Sequence, residues 1–368
     1  MEHSLTGEIS DAPDGNTLAE SDAPSGMKLF SVAPMMELTD RYCRSFHRVL
    51  SHRATLYTEM ITALAVVHGD RNHLLGFDDA ELPVALQLGG SDPDVMAEAA
   101  VIGEQYGYTE VNINCGCPSD RVKSGRFGAC LMAEPEIVAA CVDEMQKRVS
   151  IPVTVKCRIG IDRDDDFEPF EKFIRIVAEA GCDTFVVHAR KAWLDGLSPK
   201  ENRNIPPLRY DFVDQIKDLY PGKTFILNGG LKAHEQALQA SARLDGVMIG
   251  REACSNPWVL SEVDHLYYGC EKTDRSRFDI VEAFYPYMEK QLANGVPLGR
   301  LAKPLLGLFH AQPGGRLWRR MLSETMWIDT AGVHTVQRAL DEVQNLTAQI
   351  ERDNQPMPQQ ESHHADRQ

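Results

Sequence analysis

The chain has 368 residues, with 43% hydrophobic and 25% charged side chains, a balance that excludes collagen-like, fully disordered and disulfide-scaffold proteins. At roughly 150 residues per domain this length predicts two or three domains, unless one of them is a large barrel. A formal net charge of −16 argues at face value against a polyanionic partner, and no apolar run approaches the roughly 18 residues that a membrane-spanning helix needs.

Residues 1–27 carry six acids (Glu2, Glu8, Asp11, Asp14, Glu20, Asp22), no Lys or Arg and no apolar core of a signal peptide. They predict a disordered acidic tail, and residues 353–368 predict a second unpatterned one. From Lys28 onward, short β-branched runs alternate with segments of helical spacing. The runs are Leu29–Ala33, Ala54–Tyr57, Val84–Leu88, Glu110–Ile113, Val153–Cys157, Thr184–Val187, Thr224–Leu227 and Gly246–Ile249. Continuous apolar strands separated by helices such as Asp92–Tyr106, Pro135–Val149 and Phe167–Ala180 indicate a parallel sheet covered by helices. Eight such units predict an α/β fold, a (β/α)8 TIM barrel over 28–262; a doubly wound sheet would show G-x-G-x-x-G after its first strand, and Ala33 is not followed by one. Over 274–352 the spacing is helical throughout (Phe278–Ala293, Leu298–His310, Gly315–Met326, Val333–Ile350), which predicts a small all-α domain. Nine cysteines without a C-x-x-C pair or a Cys/His zinc spacing read as reduced thiols of a cytoplasmic protein with no metal.

Barrel chemistry sits where strands end and loops begin. The first strand ends in Pro34-Met35-Met36, the third in Gln87, the fourth in Asn114-Cys115-Gly116-Cys117, the fifth in Lys156 and Arg158, the sixth in His188-Ala189-Arg190, the seventh in Asn228-Gly229-Gly230 and the eighth in Gly250-Arg251. One glycine pair would make only a tight turn. Two such loops with an arginine expose backbone N–H groups to a phosphate. Lys156 interrupts an apolar strand, which suits either a Schiff base or a countercharge for a reduced flavin. Gln87 matches the imide edge of a flavin ring and equally well a capping role. His188 alone reads as a core histidine.

These residues, in this order, resemble the tRNA-dihydrouridine synthase family and within it the A-type subfamily. The resemblance runs from about Leu29 to Asn345, carried by Ala33-Pro34-Met35 with Thr39-Asp40-Arg41, Leu86-Gln87-Leu88-Gly89-Gly90, Asn114-x-Gly116-Cys117-Pro118-Ser119-Asp120-Arg121-Val122, Gly128-Ala129-Cys130-Leu131-Met132, His188-Ala189-Arg190-Lys191-Ala192-Trp193, Gly196-Leu197-Ser198-Pro199-Lys200-Glu201-Asn202, Asn228-Gly229-Gly230 and Val247-Met248-Ile249-Gly250-Arg251. It implies an FMN-binding barrel, with Pro34, Met35 and Met36 along the flavin, Gln87, Lys156 and His188 at its ring, and Asn228, Gly229, Gly230, Gly250 and Arg251 at its phosphate. It also implies reduction of the C5–C6 double bond of uridine at positions 20 and 20a of the tRNA D-loop, with NADPH as electron donor and Cys117 as the acid. A thiol of ordinary pKa, about 8.5, is protonated at neutral pH and suits that role. Cys115 stands where the family more often has an apolar residue, so a second thiol lies two residues from the implied acid.

A base inside folded tRNA must swing out to reach such a pocket, and positive charge should gather there. Between Arg300 and Ser323 there are five bases (Arg300, Lys303, Arg316, Arg319, Arg320) and no acid. The segment His188–Tyr210 has five bases against Asp195 and Glu201, and after Cys117 come Arg121, Lys123 and Arg126 against Asp120. The resemblance implies tRNA contacts by Asn114, Lys200, Arg203, Arg316 and Arg319. We expect a monomer that binds tRNA and neither membrane nor metal. The competing reading is a flavin barrel acting on a small molecule, such as a free pyrimidine or an enone.

Overall fold

A computed structural model describes residues 27–119 and 125–354. The two expected tails, apart from their innermost residues, and Asp120, Arg121 and Lys123 lie outside the described residues.

Each predicted strand forms. They are β1 (Leu29–Val32), β2 (Thr55–Tyr57), β4 (Val84–Gly89), β5 (Glu110–Cys115), β6 (Val153–Arg158), β7 (Thr184–His188), β8 (Thr224–Asn228) and β9 (Gly246–Ile249). A two-residue β3 (Ile61–Thr62), too short to show in the sequence pattern, pairs with Leu88 and Gly89 at the end of β4. Neighbours pair in parallel in the order β1-β2-β4-β5-β6-β7-β8-β9, and β9 returns to β1 with Phe30 opposite Val247 and Val32 opposite Ile249. The sheet is therefore a closed eight-stranded barrel, which leaves no open edge. Its outer face packs on α1 (Arg41–Leu50), α2 (Ala63–His68), α3 (Arg71–Leu75), α4 (Pro93–Gln105), α5 (Pro135–Gln146), α6 (Phe167–Glu179), α7 (Tyr210–Leu219) and α8 (His234–Ala240). Proline opens α4 and α5, where a missing N–H costs nothing, and Asp40 and Asp92 cap α1 and α4 through the N–H groups of Cys43 and Val95.

Side-chain alternation along each strand decides what the barrel encloses. Outward residues such as Ile113, Cys115, Val155, Cys157 and Val187 join the large core beneath the helices. The inward set begins with a small apolar layer of Tyr57, Ala85, Val186, Ile226 and Met248 and continues toward the C-terminal ends of the strands with polar groups. The parallel register sets Gln87 beside Asn112, Asn114 beside Lys156, Arg158 beside His188, and His188 beside Asn228. Period two and register together thus bring most of the expected ring-contacting residues to one mouth.

After β9 come the short α9 (Arg251–Ser255) and α10 (Val263–Tyr268). The Tyr268 hydroxyl accepts a hydrogen bond from the Phe30 N–H at 3.0 Å, which holds α10 on the barrel. Then follow α11 (Arg277–Ala293), α12 (Leu298–Ala302), α13 (Gly315–Thr325) and α14 (Val333–Asp353), with no strand among them. The single helix expected over Leu298–His310 is broken: Pro304 lacks the N–H for an α-helical bond, and the chain tightens into a 3-10 turn at Lys303–Gly307. Trp318 of α13 is fully buried and donates its indole N–H to the Leu305 carbonyl at 2.8 Å. Lys303 reaches the Glu37 carbonyl at 2.7 Å, so this helical segment docks against the loop that follows β1. Among the described residues no helix is long and apolar enough to cross a membrane.

Candidate active site

Cys117 lies in the loop after β5, half-buried, and the loop is shaped by Asn114. The Asn114 Oδ1 accepts the N–H groups of Gly116 at 3.1 Å and Cys117 at 3.0 Å, an Asx turn that lifts the thiol to the mouth. The Cys117 carbonyl accepts the Ala129 N–H at 2.9 Å, and its Sγ is 3.5 Å from the Ser119 hydroxyl. Cys115 faces the opposite way. It is wholly buried between sheet and helices, and burial pushes its thiol well above the ordinary range.

Beneath this loop runs a ladder of inward side chains. The Asn114 amide donates to Gln87 Oε1 at 2.7 Å, Gln87 Nε2 to Asn112 Oδ1 at 2.8 Å and Asn112 to the Thr154 hydroxyl at 2.7 Å; Thr154 and Tyr57 both donate to Glu110. Because each amide has a fixed neighbour on either side, Gln87 is held with its oxygen toward Asn114 and its nitrogen toward Asn112. Among the described residues, one N–H and one lone pair of Gln87 remain for any further partner.

Across the mouth, Lys156 Nζ lies 3.2 Å from Asn228 Oδ1. Strands β6 and β8 are not adjacent, so this bond spans the barrel interior over β7. The Asn228 amide in turn donates to the Met248 carbonyl at 2.7 Å, which fixes its oxygen toward the lysine. No carboxylate bonds to Lys156 among the described residues. Burial, reinforced by Arg158, pulls its ammonium down to about 8. His188 is lowered well below the ordinary histidine range by burial and then by Arg158, Lys156, Arg190 and Arg203, so it is a neutral imidazole at pH 7.

Arg158 is 3% exposed, and burial pulls it down to about 10. It donates to the carbonyls of Gly116 at 2.9 Å and of Lys191 and Asn202 at 3.0 Å, so one guanidinium clamps the Cys117 loop to the loop after β7. The turn after β8 has Gly229 and Gly230 at φ of 113° and 73°, the left-handed region that favours glycine. A Cβ on Gly229 would sit 2.7 Å from the His188 ring. Gly250 precedes α9, and a Cβ there would meet only Ala33 and Met35, at 3.8 Å. Arg251 is exposed and donates to Asn204 Oδ1 at 3.0 Å; the buried Nε of the nearby Arg190 has no partner among the described residues. Thr39 pins the Pro34–Met36 turn by accepting the Met35 N–H at 2.9 Å, and Met36 stays 55% exposed.

Two basic surfaces flank the mouth. In the loop after β7, Lys191 pairs with Asp165, and Arg209 with Asp211 at 2.7 Å. The exposed Lys200 and Arg203 form no ion pair among the described residues. On α13 the buried Trp318 and Leu322 leave Arg316, Arg319 and Arg320 on the outer face, where they line a groove of about 430 Å³ with His310, Gln312 and Ser323. Arg319 also borders a second groove, of about 250 Å³, that reaches Leu38 and Asp40 behind the β1 loop.

A family model described as dihydrouridine synthase matches residues 31–345, most of the chain. The chain belongs to the dihydrouridine synthase family. It is 51% identical over 323 residues to a tRNA-dihydrouridine(20/20a) synthase of Xanthomonas axonopodis pv. citri (strain 306), covering 88% of this chain and 96% of the relative. A protein of the same name from Synechocystis sp. is 52% identical over 318 residues, with 86% and 95% covered, and one from Vibrio vulnificus is 52% identical over 314 residues, with 85% and 96% covered.

Asn114, which the resemblance assigns to tRNA contact, is 8% exposed at the mouth and bonds both the Cys117 loop and Gln87. Arg158 and Arg190 stand at their strand ends in the sequence pattern, where no role is assigned to them. The signal for Arg158 was present, since it follows Lys156 by two and must face the same interior; its partners on two remote loops were not legible.

Proposed function

We propose that this member of the family reduces the C5–C6 double bond of uridine in the D-loop of tRNA, at the 20 and 20a positions that its relatives' names carry. One observation supports this above all: a half-exposed thiol, Cys117, shares a barrel mouth with neutral His188 and with Lys156 and Arg158, and no carboxylate is bonded to these two cations among the described residues. Buried positive charge without a counter-ion suits an anionic group seated in the mouth.

FMN fits such a site. The left-handed turn at Gly229-Gly230, the open approach over Gly250 and the Nε of Arg190, unpartnered among the described residues, suit a phosphate beside Arg251. Asn228 completes that end, Gln87, Lys156 and His188 would contact the ring, and Pro34, Met35 and Met36 would lie along it. When bound and reduced by NADPH, FMN supplies the hydride that adds to C6. The remaining work belongs to the chain. Lys156 offsets negative charge at the ring. Cys117 gives its thiol proton to C5 and is reprotonated from solvent, so one hydride and one proton account for the two hydrogens gained. Neutral His188 offers a hydrogen bond without a competing charge. Asn114 and Arg158 hold the thiol in place from opposite sides of its loop.

Extruding the uridine costs a few kcal/mol of stacking, which contacts to the tRNA backbone must offset. Lys200 and Arg203 beside the mouth, with Arg316 and Arg319 on α13, supply them, and residues 274–352 act as a tRNA-binding domain on the 28–262 barrel. The enzyme works in the cytoplasm as a monomer, with NADPH and tRNA using the mouth in turn. The test is mass-spectrometric mapping of dihydrouridine in tRNA from cells lacking this protein, complemented with wild type or Cys117→Ala. Dihydrouridine at 20 and 20a should vanish in the deletion and return only with wild type; unchanged dihydrouridine at every position would reject the reading.

A further inference from the structure

Cys43 and His47 are four residues apart on α1, which sets both on one helix face, and Cys254 reaches them from α9. The Cys43 Sγ is 3.5 Å from His47 Nε2, and one ligand atom from each of the three residues lies within 4.8 Å of the others. For a tetrahedral zinc ion, with Zn–S of about 2.3 Å and Zn–N of about 2.0–2.1 Å, sulfur and nitrogen stand about 3.5 Å apart. The spacing within α1 is already that of one edge of a tetrahedral metal site.

The surroundings suit a metal as well. His47 is 1% exposed, so packing holds its ring in place beside Cys43. Cys43 is 3% exposed, whereas Cys254 is half-buried. Both thiols border the 250 Å³ groove that contains Asp40, Arg300 and Lys303, so an ion has a path in and room for water as a fourth ligand. Two thiolates and one neutral imidazole cancel the double charge of the ion, which removes the main penalty for burying it.

We propose that Cys43, His47 and Cys254 form a zinc site that staples α1 to α9. Binding replaces the two thiol protons, which pass to solvent, and no electron is transferred. The staple joins the element after the Pro34–Met36 turn to the helix that begins at Arg251. It therefore braces the mouth from behind without entering it, and it stands whether or not the tRNA reading does.

The full-length chain, produced without a polyhistidine tag, should carry one zinc per chain by elemental analysis. After chelation under reducing conditions, anaerobic titration with Co²⁺ should give a thiolate-to-cobalt charge-transfer band and intense ligand-field bands, both abolished by added zinc. Cys43→Ser, His47→Ala and Cys254→Ser should each weaken Co²⁺ binding at least tenfold, whereas Cys270→Ser should leave it unchanged. Chelation should lower the Tm of wild type and not of Cys254→Ser. Wild-type protein that binds no Co²⁺, undiminished binding in Cys254→Ser, or a metal-free Cys43–Cys254 disulfide in freshly isolated protein would each overturn the assignment. Because the wild-type titration decides the first of these alone, a variant that fails to fold does not blunt the test.

Discussion

The barrel mouth and the outer face of α13 are both built on cations, yet the same charge means different things in the two places. Arg158 and Lys156 are held by carbonyls and an amide in place of carboxylates, and burial pulls both below their ordinary pKa. Arg316, Arg319 and Arg320 stand in solvent on a helix whose apolar side is anchored by Trp318 and Leu322. Charge in the mouth is expensive to keep and therefore speaks of chemistry or an anion lodged there. Charge on the helix is screened by salt and speaks of a mobile polyanion.

The sharpest way to separate the two regions is to change each and ask whether rate or affinity responds. Cys117→Ala should lower single-turnover reduction of tRNA by about 10²–10⁴-fold, the usual worth of a positioned acid, with tRNA affinity and its salt dependence unchanged. A rate within threefold of wild type would remove Cys117 from the chemistry. Arg316→Ala with Arg319→Ala should do the reverse: affinity for tRNA falls by about tenfold or more at low salt, and the slope of log K against log salt drops by about 1.4 to 1.8, since each phosphate contact contributes about 0.7 to 0.9. Flavin absorbance should be retained, and its loss would show that the rim is not independent of the mouth.

A pH series probes the mouth alone. For Lys156 the folded value, about 8, lies below the ordinary 10.5, so the unfolded chain binds more protons in that window. Flavin-free protein should therefore gain stability as pH rises from about 8 to 10.5, and Lys156→Met should flatten that rise in denaturant unfolding. For His188 the depression places the effect on the acid side: stability falls as pH drops below 6.5. Because His47, lowered to about 4 chiefly by burial, shares that loss in zinc-free protein, His188→Asn should there reduce the slope without abolishing it. The smallest effect belongs to Cys115→Ala, which should cost about 1 kcal/mol of stability and leave turnover within about twofold. A larger loss of activity there would mean that the second thiol backs up the first.

Much of this was legible along the chain because strand patterning is local. The eight apolar runs, the helices opened by Pro93 and Pro135, the polar residue at each strand end and the acid-free stretch from Arg300 to Ser323 can each be read from a window of a few residues. The net charge misled until it was located, since six of the excess acids lie in residues 1–27. The broken helix at Pro304 was likewise a local signal, outweighed in the reading by the apolar spacing around it.

What the sequence determined by itself was the barrel, its family and the set of groups at its mouth, because alternation and strand length are fixed by neighbours in the chain. Only the tertiary structure decided that Cys117 faces the mouth while Cys115 faces the helices, that Asn114 shapes a loop, that Arg158 ties two loops together, and that Cys254 arrives beside Cys43 and His47. Those outcomes depend on closure of the barrel. Parallel register and the return of β9 to β1 bring remote loops within bonding distance, and no local pattern encodes which of them will meet.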